Sequence, residues 1–118
     1  MRYGATVASV AECRAALDRL VARLAANAEQ VRRKANVDRT LVCRVTDLGV
    51  AFRGRLAGGE LVDVAEGDDP TAQISLSATS DDLIALIDGE LDFPRALASR
   101  RVTLRASPWD LLKLRSLW

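Results

Sequence analysis

Four times between Arg39 and Ala78 the chain alternates apolar and polar residues with a period of two. On both sides of that block the period is helical, and this double change limits what the chain can fold into. In the first run Leu41, Cys43 and Val45 alternate with Val42, Arg44 and Thr46. After Asp47-Leu48-Gly49, Val50, Phe52, Gly54 and Leu56 alternate with Ala51, Arg53 and Arg55. Ala57-Gly58-Gly59-Glu60 is a second turn signal. The spacing then predicts a third strand over Leu61 to Glu66, with Val62 and Val64 inward and Asp63 outward. Gly67-Asp68-Asp69-Pro70 breaks it, and Ala72, Ile74, Leu76 and Ala78 alternate with Thr71, Gln73, Ser75 and Ser77. One face of these strands is apolar and the other carries Arg, Ser, Gln and Asp, the pattern of an antiparallel sheet with a single wet face.

The flanks supply the cover such a sheet needs. From about Thr6 to Lys34, Val10, Leu17, Leu20, Val21, Leu24, Ala28 and Val31 form one helical stripe, predicting a single long helix. Arg32, Arg33 and Lys34 end it, where cations suit the helix dipole. Thr79 or Ser80 caps a helix over Asp81–Asp88, and Asp92 caps a short one over Phe93–Ala98. Arg101 to Ala106 is a fifth strand, and Ser107-Pro108 caps a helix over Pro108–Trp118. The expected fold is α+β: a five-stranded, mostly antiparallel sheet with one face covered by helices. With no repeat or linker, residues 1–118 are expected to form one domain.

Composition excludes several kinds of chemistry. The 118 residues include no histidine, so Ser-His and Cys-His nucleophiles and the common zinc sites lack their imidazole. Cys13 and Cys43 lie far apart with no CxxC spacing and are expected as buried free thiols in a reducing compartment. Seventeen Lys+Arg against 16 Asp+Glu give a net charge of +1, too little to gather nucleic acid. The N-terminal segment, interrupted by Glu12, Arg14, Asp18, Arg19 and Arg23, reads neither as a signal peptide nor as a membrane span, so a soluble cytoplasmic chain is expected. No metal and no cofactor are expected.

Charged residues have structural explanations beside functional ones. Asp68-Asp69 reads as a turn and Asp81-Asp82 as helix-start charge. Arg44, Arg53, Arg55 and Arg105 share the wet face, either solvated with partners such as Asp63 or receiving an anionic headgroup. The last helix packs four leucines and two tryptophans into eleven positions. Core packing on two sides, a dimer surface and the lining of a ligand cavity all suit it.

The chain resembles the sterol carrier protein 2 (SCP2) sterol-binding domain in its stand-alone bacterial form. The resemblance rests on Ala72-Gln73-Ile74-Ser75-Leu76-Ser77-Ala78, on Asp82-Leu83-Ile84-Ala85-Leu86-Ile87-Asp88-Gly89-Glu90-Leu91-Asp92, on Val102-Thr103-Leu104-Arg105 and on the closing Leu111-Leu112-Lys113-Leu114-Arg115-Ser116-Leu117. Leu97, Ser99-Arg100-Arg101 and Ala106 stand where such domains usually carry Phe, Ser-Gly-Lys and Gly. The resemblance implies an apolar tunnel that encloses a fatty acyl chain, a fatty acyl-CoA or a sterol without covalent chemistry, with at most transient membrane contact. Positions on the apolar faces nominate its walls: Phe52, Ile74 and Leu76 from strands, Leu83, Leu86 and Ile87 from the first short helix, Phe93 and Leu97 from the second, Leu104 from the last strand, and Leu111, Leu114 and Trp118 from the last helix. Two other readings stay open. One is an accessory subunit of a bacterial enzyme, or a homodimer, that uses the Leu-rich last helix as its interface. The other is a small enzyme on a lipid-like or polyketide substrate, with Asp47 or Asp82 as a lone carboxylate.

Overall fold

A computed structural model describes residues 8–34 and 36–115, and for 113–115 the backbone alone. The element order is α1 (Val10–Ala26), α2 (Ala28–Lys34), β1 (Arg39–Val45), β2 (Val50–Ala57), β3 (Glu60–Glu66), β4 (Ile74–Ala78), α3 (Ser80–Ile87), α4 (Phe93–Ala98), β5 (Val102–Arg105) and α5 (Pro108–Arg115). The sheet runs β3-β2-β1-β4-β5. Three pairings are antiparallel, but β1 and β4 run parallel, with Leu41 beside Ile74 and Val45 beside Ala78. Alternation reports faces and not strand direction, which is why the four runs read as a plain antiparallel set.

The parallel pair has a topological cost. β3 ends beside the start of β2, where Gly67 N–H donates to Ala51 O, whereas β4 begins at the opposite end of the sheet. Residues 67–73 therefore cross the outer face as a strap. Asp68 pairs with Arg44 there, and Asp69 holds the strap in a turn by accepting from the Thr71 N–H and Oγ1. Beneath it Val42, which points outward beside Arg53 and Ser75, is only 2% exposed.

The single long N-terminal helix expected from the stripe is two helices. Ser9 and Glu12 close a reciprocal capping box, so α1 begins at Val10. Thr6 lies outside the described residues. At Asn27 (φ −119°, ψ 20°) the side-chain Nδ2 donates to Arg23 O and the backbone N–H tightens onto Leu24 O. The local hydrogen bonds of one asparagine interrupt the helix despite its alanine-rich surroundings.

β3 also departs from its expected facing. Leu61 pairs with Leu56 and Val62 with Arg55, after which the register shifts at Asp63, whose φ is 57°. The extra residue puts Leu61 and Val64 on the inner face and leaves Val62 on the outer one.

The core lies between the inner sheet face and the helices. Val45, Phe52, Ala78 and Val102 meet Cys13, Ala16 and Leu17 of α1, Leu83 and Ile87 of α3, and Ala96 of α4. The small Cys13 and Ala16 let α1 approach this end of the sheet closely, and each large side chain buried here contributes about 1.5–3 kcal/mol. Toward the start of β1 the layers separate. Leu56, Leu61 and Ile74 are buried but lie outside that cluster.

Candidate ligand cavity

That separation is a cavity of about 220 Å³ with almost entirely apolar walls. α1 and α3 roof it with Leu17, Leu20, Leu83, Leu86 and Ile87. The inner face of the sheet floors it: Leu41 and Cys43 from β1, Phe52, Gly54 and Leu56 from β2, Leu61 and Val64 from β3, Ile74 and Leu76 from β4, and Leu104 from β5. Gly54 matters because it stands on the inner face without a side chain. A Cβ built there would lie 3.4 Å from the side chains of both Leu61 and Val64. Any larger residue at this position points into the space.

Of the expected wall residues, Phe52, Ile74, Leu76, Leu83, Leu86, Ile87 and Leu104 line the cavity. Phe93 and Leu97 instead pack against the core cluster from α4. Leu111 is 39% exposed and does not reach it, Trp118 lies outside the described residues, and for Leu114 only the backbone is described. The reason is Asp110. Its carboxylate is buried against the Arg39 guanidinium, with Nε at 3.1 and 3.0 Å from the two oxygens, and its N–H donates to Ser107 Oγ. An acidic anchor holds α5 with Trp109 and Leu112 outward, 76% and 61% exposed. Leu17, Leu20, Leu41, Leu56, Leu61 and Val64 were missing from the expected walls. Alternation already put Leu41 and Leu56 on the apolar face, whereas Leu61 and Val64 share that face only through the bulge.

Next to the cavity residues Leu20 and Ile87, polar contacts tie α1 to the end of α3. Arg19 makes a forked pair with Asp88, and Arg23 Nη2 donates to Ile87 O at 2.7 Å. The lone carboxylates considered for catalysis have other partners. Asp47 accepts from Ser80 N–H and Oγ, both at 2.7 Å, tying the β1–β2 turn to the start of α3. Asp82 receives Arg101. Neither lines the cavity. The ionisable residues along the cavity are Arg53 and Cys43, and the Cys43 thiol is pushed up to about 12 by burial and by neighbouring Cys13. The cavity therefore has surface for burying an apolar molecule and little with which to transfer protons. Among the described residues no group of His, Cys, Asp and Glu side chains is placed to hold a metal ion, and no helix is long and apolar enough to cross a membrane.

Known structures share this architecture. Sterol carrier protein domain 2 of Helicoverpa armigera superposes with a TM-score of 0.71 at 13% identity, over 96% of this chain and 91% of that one. The chain has the SCP2 fold. Sterol carrier protein 2 of Aedes aegypti, solved with palmitate, matches at a TM-score of 0.57 and 22% identity, over 86% of this chain and 94% of that one. The same SCP2 fold matches part of the inverting sec-alkylsulfatase Pisa1 from Pseudomonas sp., at a TM-score of 0.56 and 24% identity over 69% of this chain. The match spans only 13% of the sulfatase's length. No family model matches the sequence, and no curated protein sequence does.

Proposed function

We propose that this SCP2-like chain binds one apolar, lipid-like molecule, such as a fatty acyl group, non-covalently in the cavity beneath α1 and α3. The observation that carries the reading is an apolar pocket of about 220 Å³, partly open to the outside, between the inner sheet face and α1 and α3. Close-packed domains rarely leave an apolar pocket much larger than water unfilled between their layers without use. Its volume falls below the roughly 300–1,000 Å³ typical of pockets for drug-sized ligands. A single flexible acyl chain suits it better than a rigid ring system, and parting α1 from α3 at the Arg19–Asp88 pair would admit more. The palmitate held by the Aedes aegypti protein of the same fold supports this choice.

Burial of about 0.8 kcal/mol per methylene gives roughly fourfold in affinity for each added carbon. In a displacement assay on delipidated protein, saturated fatty acids are expected to tighten by that factor until the cavity is full, and then to level off. Leu76→Trp fills the space and is expected to lose at least about tenfold in affinity while keeping the folded state. Affinity indifferent to both chain length and Leu76→Trp sinks the proposal.

A second reading rests on α5, where Trp109 and Leu112 form an exposed apolar face beside a buried anchor. It would be a contact face for a second copy or an enzyme subunit, in keeping with the occurrence of this fold as part of a much longer sulfatase. Sedimentation velocity tests the homodimer form: a dimer that Leu112→Arg converts to monomer supports it, and a monomer at all concentrations removes it.

A further inference from the structure

The strap of residues 67–73 does more than connect β3 to β4. Where it crosses the outer face it walls a second pocket of about 320 Å³, lined by Arg44, Asp69, Gln73, Ser75 and Arg105. This pocket is polar and lies on the side of the sheet away from the apolar cavity, because Ser75 and Arg105 alternate with the inward Leu76 and Leu104. Its side chains carry more donors than acceptors, with Asp69 as the one carboxylate in the lining. Arg44 donates through Nε to Asp68 at 3.0 Å and through Nη1 to Ser75 Oγ at 2.7 Å, leaving its other terminal nitrogen unused. Ser75, having accepted that bond, keeps its hydroxyl hydrogen to give. Gln73 spends its carbonyl oxygen on the Thr40 N–H at 3.1 Å, so its NH2 group is oriented and unspent. The Arg105 side chain has no hydrogen-bond or ion-pair partner among the described residues, and Asp69 turns its Oδ1 to Thr71 instead.

We propose that this pocket binds a small oxyanion, a phosphate or sulfate group, with Arg105 and Arg44 as its charges and Ser75 and Gln73 as neutral donors. Donors from β1, β4 and β5 converge there beside the free Oδ2 atoms of Asp68 and Asp69, and a tetrahedral oxyanion offers the two arginines, Ser75 and Gln73 lone pairs in competition with those carboxylates. Asp68 acts as the resident competitor, because its carboxylate occupies the Arg44 Nε that an anion would also use. The site is independent of any lipid in the cavity.

Titration of the full chain with inorganic phosphate, followed by NMR, tests it. Saturable shifts are expected at the Gln73 side-chain NH2, the Ser75 amide and the Arg105 Nε–H. Arg105→Gln, at an exposed position, is expected to weaken binding about tenfold or more. Asp68→Asn is expected to tighten it several-fold by freeing Arg44, a gain that a merely structural role for these residues does not give. The source of the anion is read by sedimentation with phosphatidylglycerol–phosphatidylcholine vesicles. Vesicle binding lost in Arg105→Gln assigns the site to a lipid phosphate, and phosphate binding without vesicle binding assigns it to a free anion. Shifts spread evenly over the arginines and unchanged by either substitution, or no saturable shift at all, overturn the proposal.

Discussion

Cys13 and Cys43 face each other's surroundings across the α1–β1 interface, and neither forms a disulfide. Burial raises both thiols, Cys43 to about 12, so at neutral pH both are protonated. In an assay with a disulfide reagent, neither thiol is expected to react at an appreciable rate in the folded protein, and both react in denaturant. Fast native labelling of either would show that α1 lifts from the sheet. Asp47 has the opposite electrostatics. Desolvation works against its carboxylate, but the hydrogen bonds from Ser80 Oγ and N–H outweigh it and hold the carboxyl below its ordinary value. A lowered folded value stabilises the protein fully above the unfolded carboxylate range near 4, and that contribution is lost as pH falls through the folded value. Asp47→Asn is therefore expected to cost about 1 kcal/mol or less at neutral pH, given its exposure, and to flatten the acid limb of a urea-stability profile. At this scale much of the cavity was legible: Phe52, Ile74, Leu76 and Leu104 follow from alternation alone. The C-terminal leucines were misleading, because Asp110, one acidic residue among them, decides which way α5 faces, and its partner Arg39 is 71 positions away.

Elements were legible where their own residues determine them. α3 and α4 carry their caps in sequence, with Thr79 accepting from Asp82 N–H and Asp92 from Arg95 N–H, and Ser107 does the same for α5. The break at Asn27 was hidden by the unbroken apolar stripe on both sides of it, although the hydrogen bonds that make it are local. The interruption at Asn27 places the Ala28 carbonyl against the β2–β3 turn, where a Cβ built on Gly59 would lie 2.2 Å from that oxygen. Gly58, one residue earlier, has a similar left-handed φ of 61° but open space around it. The pair separates contact from conformation. Gly58→Ala is expected to cost about 1 kcal/mol, the left-handed strain alone, and Gly59→Ala more than about 2 kcal/mol in chemical denaturation. Equal costs would mean that α2 gives way freely and does not hold the hairpin.

On the scale of the molecule, the period of the sequence conveyed two layers and the sidedness of the sheet, but not its order. Which strand lies beside β1, and in which direction, depends on a pairing such as Thr40 with Gln73, 33 positions apart. Alternation says nothing about that, and neither does the Gly67-Asp68-Asp69-Pro70 break, which reads as a tight turn and serves as a crossing. The strap also separates the chain into two folding halves, one with α1 to β3 and the other with β4 to α5. They are joined noncovalently by the parallel β1–β4 ladder, by the contact of α1 with α3 and by the Asp47–Ser80 tie. This makes the protein a candidate for division into complementing fragments. Residues 1–69 and 70–118, produced as separate polypeptides, are expected to co-purify as a one-to-one complex whose midpoint of unfolding rises with concentration. Fragments that stay apart would show that the covalent link across the outer face, and not the seam beneath it, keeps the two halves together.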